Sequence, residues 1–189
     1  MLELVVFILL AVLTWYIIRS SYNQLAHYLN AGLDNEAITH DSQLKRLLAS
    51  AGRYYDERKW MAAEKAYLKV LKLDHKNIQA YRRLGMVYSH LHNYEDATEC
   101  FEFAVKSQNS ASDWQNLATV LYHEKRITEA INAMEKANSI EISVSRLLAL
   151  ARFYDVAGQP DKVRQSIIKA QELSPDSPAV KKYSARLVA

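Results

Sequence analysis

The sequence predicts an all-α protein: a solenoid of four stacked helical hairpins with a C-terminal capping helix, preceded by one apolar transmembrane helix. Three observations carry this. Of 189 residues only four are glycine and three proline, while half are hydrophobic, a composition that favours nearly continuous helix over disorder. A pattern of apolar, small and aromatic residues recurs at steps of 33 or 34 residues from about Leu44 to Asp176, and self-similarity at that period means stacked units of one hairpin each. Ahead of the repeats stands an uncharged run from Leu4 to Ile18.

The clearest copy reads Tyr81-x2-Leu84-Gly85-x2-Tyr88 on a first helix and Ala97-x3-Phe101-x2-Ala104 on a second. The copy 34 residues earlier has Leu47, Ser50-Ala51 and Tyr54, then Ala63, Tyr67 and Val70. The copy 33 residues later has Trp114, Leu117-Ala118 and Leu121, then Ala130, Met134 and Ala137. The last has Leu147, Leu150-Ala151 and Tyr154, then Val163, Ile167, Ala170 and Pro175. Such spacing in one helix describes any amphipathic helix, but four copies in phase define repeats at about 44–77, 78–110, 111–143 and 144–177 within a solenoid over 42–177. Ala51, Gly85, Ala118 and Ala151 fall where the helices of a hairpin approach closely, and Ala63, Ala97 and Ala130 where the second helix packs back. Bulk there would hold the axes outside the range of roughly 8–10 Å of well-packed helices.

Turn chemistry keeps the same phase. Asp41-Ser42, Asn77, Ser110 to Ser112 and Ser143 or Ser145 offer N-caps to the first helices. In the last hairpin Gly158 ends one helix and Pro160 opens the next. Residues 178–189 read as an amphipathic capping helix, with Lys181, Lys182 and Arg186 on its wet face; a repeat array needs such a cover for its last apolar surface.

These motifs resemble the tetratricopeptide repeat (TPR) family over 42–177, although only the fourth unit keeps the terminal proline, Pro175. The resemblance implies that the first helices line a concave groove gripping an extended or helical protein segment. Mapped residue by residue, the groove would be lined by Lys45, Leu48 and Tyr55 from the first repeat, and by Gln79, Arg82, Met86 and Ser89 from the second. The third would supply Gln115, Asn116, Thr119 and Tyr122, and the fourth Ser145, Leu148, Arg152 and Asp155. Aromatics and Met suit apolar side chains, amides suit peptide backbone, and the two arginines suit carboxylates. The subgroup that clamps chaperone C-termini needs Lys and Asn where this chain has Leu48 and Gly52, so that specialisation is not expected.

The run Leu4 to Ile18 spans roughly 22 Å as helix, short of a hydrocarbon core of about 30 Å. Met1 and Leu2 extend it, Arg19 can snorkel, and Trp15, Tyr16 and Tyr22 suit an interfacial belt. No basic residue precedes the run and no small-residue cleavage site follows it, which disfavours a signal peptide. A retained anchor over 1–22 is therefore expected, with its helical pattern continuing to a stop at Gly32 and a membrane-proximal linker over 23–41. Arg19, Lys45 and Arg46 follow the span while Glu3 precedes it, placing the repeats in the cytoplasm by the positive-inside bias. This layout is similar to that of bacterial membrane-anchored TPR adaptors, among them lipopolysaccharide-assembly regulators opening with a comparable Met-Leu-Glu-Leu run. The paired-Cys metal module of that family has no counterpart here.

Charge and chemistry narrow the function. A net charge of +3 spread over the chain argues against nucleic acid as the main partner. No phosphate loop, nucleophile elbow or metalloprotease motif occurs, and the single cysteine, Cys100, excludes an internal disulfide framework or Cys-based zinc site. Asp56, His90 and His123 hold one repeat position, with His92 beside them; the spacing fits a polar rim better than zinc ligands, which must converge to about 2 Å from one ion. Lys65, Lys69, Lys72 and Lys76 form one stripe on the second helix of repeat one, either a solvated face or a contact for anionic headgroups. The expected function is a non-catalytic membrane-anchored adaptor for a protein or peptide, without cofactor, metal or small-molecule substrate. The alternative is a structural subunit docking through the span and the basic outer face.

Overall fold

The computed structural model describes residues 2–188, and of 2–13, 27–38 and 185–188 only the backbone. It holds nine helices among the described residues: α1 (Leu2–Asp56), α2 (Trp60–Leu73), α3 (Ile78–His90), α4 (Tyr94–Ser107), α5 (Ala111–His123), α6 (Ile127–Ile140), α7 (Val144–Val156), α8 (Pro160–Leu173) and α9 (Pro178–Val188). The chain divides into two compact units, 1–46 and 47–189.

The first unit consists of α1 up to Arg46. The helix passes through Gly32, where a stop was expected, and through Asp41-Ser42, expected to cap a new helix. Two physical reasons account for this. A mid-helix glycine costs only about 1 kcal/mol and ends a helix only where a left-handed residue is required. Ser42 Oγ donates back to the Thr39 carbonyl at 2.8 Å, the self-satisfying bond of a serine inside a helix. Lys45 pairs with Asp41 one turn earlier at 2.6 Å. The expected anchor over 1–22 lies largely outside the residues whose side chains are described; among the described residues no helix is long and apolar enough to cross a membrane.

The second unit is an all-α solenoid of the end of α1 with α2, α3 with α4, α5 with α6 and α7 with α8, closed by α9. Its hairpin turns share one geometry. Arg58, His92, Lys125 and Gly158 take φ between 56° and 67°, each just beyond the end of a first helix. The amide of each reaches back to Tyr55, Ser89, Tyr122 or Asp155, and the next amide to Tyr54, Tyr88, Leu121 or Tyr154, at 2.9–3.2 Å. These are paired Schellman bonds, which satisfy carbonyls the helix end leaves open. Only Gly158 is free of the Cβ penalty in that conformation. The turns between hairpins work differently: Asn77, Ser110 and Ser143 cap α3, α5 and α7 by accepting from Ala80, Asp113 and Arg146 amides, as their side chains suggest.

Packing follows the small-residue positions. Ala51, Ala63, Ala97, Ala118, Ala130 and Ala151 are all at most 1% exposed. A Cβ on Gly85 would lie 2.9–3.1 Å from three ring atoms of Phe101, so α3 and α4 meet where only hydrogen fits. At the far end Val180 of α9 is fully buried against Leu147, Leu148 and Ala170, while Lys181 and Lys182 are exposed.

Two substitutions test this account. Gly85→Ala should lower the unfolding free energy by about 1 kcal/mol in denaturant titrations, overpacking outweighing the gain in helix propensity; in a Phe101→Leu background that cost should vanish. Lys125→Gly should instead stabilise by about 0.5–1 kcal/mol, the left-handed strain exceeding the entropic cost of glycine, read as a higher midpoint in thermal melts.

Candidate peptide-binding site

Residues three apart on a helix share a face, so Met86 and Ser89 on α3 and Asn116 and Thr119 on α5 point the same way. The structure brings these four together with Tyr55 around an open cavity of about 330 Å³ on the first-helix face. Its walls are ordered by ring contacts. Tyr55 donates its hydroxyl to Met86 Sδ at 3.5 Å, meets Trp60 edge-on at 5.4 Å and carries the Arg83 guanidinium 4.9 Å from its ring centre. His90 stacks on Trp60 at 4.1 Å and His123 on Tyr94 at 4.9 Å, one repeat apart in the same arrangement. His92 Nδ1 lies 2.8 Å from the Tyr94 hydroxyl. Of the histidine positions visible in the sequence, His90 and His123 are thus stacked rings and His92 meets Tyr94 edge-on, and no group of three His, Cys, Asp or Glu among the described residues could hold a metal ion. Chemically, the cavity offers soft and aromatic walls for an apolar side chain and, at Asn116, a donor and an acceptor for main-chain amides.

A second cavity, of about 450 Å³, opens between α7 and α9 and collects Ser145, Leu148 and Arg152 with Tyr183. Leu148 is only 7% exposed and belongs to the core as much as to the cavity. Arg152 is exposed, its guanidinium 5.8 Å from the ring centre of Tyr122, which itself stacks on Phe153 at 4.6 Å. Gln79, Gln115 and Asp155 line neither cavity, and Lys45 belongs to the N-terminal unit.

Arg82, expected to receive a partner's carboxylate, is closed on one from its own chain. Its Nε and Nη2 donate to the two carboxylate oxygens of Asp113 at 2.8 and 2.6 Å, and Nη2 also to Gln108 Oε1 at 2.5 Å. Asp113 is 2% exposed; the Ser110 hydroxyl donates to its carboxylate at 2.6 Å, while its backbone amide donates to Ser110 Oγ at 3.1 Å. The carboxylate therefore sits in the first turn of α5, near the positive end of the helix dipole, with donors from two repeats. It joins repeat two to repeat three. The signal was present in sequence as an Arg and an Asp 31 residues apart, one repeat less a helical turn, but that spacing became meaningful only once the helices were stacked. Cys100 is 5% exposed, and burial pushes its thiol up to about 12, leaving it protonated and unreactive near neutrality.

Stacked hairpins with a furnished first-helix face make this an all-α helical-repeat solenoid. Comparison with known proteins agrees: tetratricopeptide repeat profiles match residues 66–99 and 114–141. Among solved structures, a MamA protein superposes with a TM-score of 0.66 at 23% identity over 70% of this chain and 73% of its own. MamA from Desulfovibrio magneticus gives 0.68 at 19% identity, covering 71% and 77%. A tetratricopeptide repeat protein from Parabacteroides merdae gives 0.72 at 14% identity, covering 76% and 58%. At these identities the likeness is one of fold.

Asp113→Asn and Arg82→Gln should each destabilise the solenoid by about 2–3 kcal/mol, less than for a fully dry pair because Arg82 is half-buried. A double-mutant cycle in denaturant should recover a coupling of at least about 1 kcal/mol. Native protein at pH 8 should resist alkylation at Cys100 and label only when unfolded, as followed by mass spectrometry.

Proposed function

We propose that this chain is a non-catalytic adaptor, held at a membrane by the N-terminal part of α1, that grips a segment of a partner protein on the first-helix face of its repeats. The observation that carries the reading is the cavity bounded by Tyr55, Met86, Ser89, Asn116 and Thr119. It combines an apolar interior with an amide at its edge, the chemistry that takes one anchoring side chain and reads the backbone beside it. The cavity between α7 and α9 would take a further part of the segment, with Arg152 available for an acidic residue.

The membrane part of the reading rests on a different observation. Along the described stretch of α1, Trp15, Tyr16, Ile17, Ile18, Tyr22 and Leu25 are 53–72% exposed; the first four end the uncharged run that begins at Leu4, and the other two lie just beyond Arg19. So much uncovered aromatic and aliphatic surface calls for an apolar or interfacial environment. Arg19, stacked 4.9 Å from the Trp15 ring centre, fits the cytoplasmic edge of such a span, which would put the repeats in the cytoplasm. Tethering makes even a weak groove useful, because capture of a membrane-associated partner becomes effectively intramolecular.

Photo-crosslinking from the full-length protein in its native membranes tests both parts. A photoreactive side chain at Thr119 should trap one discrete partner, the same side chain at Asn132 on the outer face should not, and Asn116→Ala with Met86→Glu should abolish the Thr119 product while helical content stays constant. Equal crosslinking from both faces would instead favour a structural subunit docked through its outer surface. Release of the protein by carbonate washing would sink the anchor.

A further inference from the structure

We propose that the outward face of α2 is a contact site for anionic lipid headgroups, a second membrane attachment belonging to the repeats themselves; it rests on the reading that the chain is held at a membrane. The face is unusual in composition and in position. Lys65, Lys69 and Lys72 of α2, with Lys76 just beyond it, are all exposed, and no described carboxylate lies in ion-pair distance of any of them. Along one edge of this lysine stripe stand Met61, 60% exposed, and Leu68, 44% exposed. At 100° per residue, Met61, Leu68, Lys72 and Lys65 fall within one narrow sector of the helix. A row of cations beside uncovered aliphatic side chains matches the boundary between headgroups and acyl chains, where lysine stems lie flat and apolar tips enter.

The repeats supply an internal comparison. At the positions of Met61, Lys65 and Leu68, α4 carries Glu95, Glu99 and Glu102, and its one cation there, Lys106, is paired with Glu102 at 3.0 Å. The same positions of α6 hold Thr128, Asn132 and Glu135. At these three positions α4 and α6 thus use carboxylates and neutral polar groups, while α8 has Asp161, Gln165 and one exposed aliphatic, Ile168 at 46%, followed by Lys169. The repeat scaffold does not require lysines at this position, still less the exposed Met and Leu. An anionic lipid surface is preferred over an acidic protein because two aliphatic tips beside a row of cations complement a bilayer interface; the acidic α4 face of a second copy offers charge alone. Each lysine close to such a surface strengthens binding roughly fivefold, so four supply roughly 10²–10³-fold, screened by salt.

The test uses the full chain with Met61→Cys carrying an environment-sensitive fluorophore; Cys100 is buried and stays unlabelled. The protein is mixed with vesicles of phosphatidylcholine alone or of phosphatidylcholine with phosphatidylglycerol. A blue shift and quenching by lipid-borne quenchers are expected only with the anionic vesicles, reversed by salt and lost in K65Q/K69Q/K72Q/K76Q. The same probe at Glu95→Cys should not respond. Equal emission in both membranes, or a response that survives the quadruple substitution, overturns the proposal. So does a shift that depends on protein concentration without lipid, which would assign the face to a second copy. Flotation with neutral vesicles reports on the anchor separately: a chain that fails to float there loses its span, while the fluorophore still decides the fate of the lysine face.

Discussion

The close approach of two helices at a residue without bulk is the constraint on which this fold depends. At Gly85 the Phe101 ring occupies the space of the missing side chain, and Ala51, Ala118 and Ala151 hold the equivalent positions with at most 1% exposure. Once the helices of a hairpin touch there, the chain between them must turn within three residues. The left-handed Schellman turn does this and satisfies the open carbonyls at the same time. The chain tolerates it at Arg58, His92 and Lys125 despite their side chains. Strain at the turns is therefore a consequence of the packing, and the packing sets the first helices side by side as a single face.

Contacts between hairpins are less uniform, and stability along the array should vary with them. Arg82 and Asp113 tie the second repeat to the third; the equivalent pair one junction earlier is Leu48 and Ala80, and one junction later Gln115 and Arg146. Arg146 is 5% exposed and closes on Glu141 at 2.6 Å, but its Nε and both polar atoms of the nearby Asn138 are buried without a partner. Leu71 and Val105 fill the position of Asn138 in the preceding repeats with apolar side chains. A buried polar group left unpaired costs about 1–3 kcal/mol. In a quasi-one-dimensional array the junction between repeats three and four is then expected to open first.

Periodicity made the solenoid legible, because every core position is tied to a period that survives one or two departures. Pro175 alone keeps the terminal proline, yet all four hairpins form. Caps were legible where a side chain does the work, as at Asn77, Ser110 and Ser143. They were not legible at Asp41-Ser42, because a good capping residue inside an uninterrupted helix bonds to its own backbone instead. The left-handed turns at Arg58, His92 and Lys125 carried no signal, since tertiary packing imposes them on residues that do not favour them. On the candidate site, facing direction could be read but commitment could not. Met86, Ser89, Asn116 and Thr119 share a cavity as their spacing suggests, whereas Arg82 faces the same way and is already engaged. Met61 and Leu68 escaped notice because apolar residues on an amphipathic helix are assumed to point inward until their exposure is known.

The two surfaces of the array differ in chemistry in a way that suits the proposed adaptor. The first-helix face is built of rings stacked on rings: His90 on Trp60, His123 on Tyr94, Tyr122 on Phe153. Stacked side chains have little rotamer freedom left to lose, so a segment that docks there orders few of them, and more of its contact energy appears as affinity. The outer face carries its character in long, mobile charged side chains, basic on α2 and acidic on α4. Such side chains make poor specific pockets but respond to a diffuse field over a broad area. The two proposed roles, a partner read by shape on one side and a surface sensed by charge on the other, would place different demands on the same helices. An all-α repeat meets both because its first and second helices present separate faces, and a residue changed on one leaves the other intact.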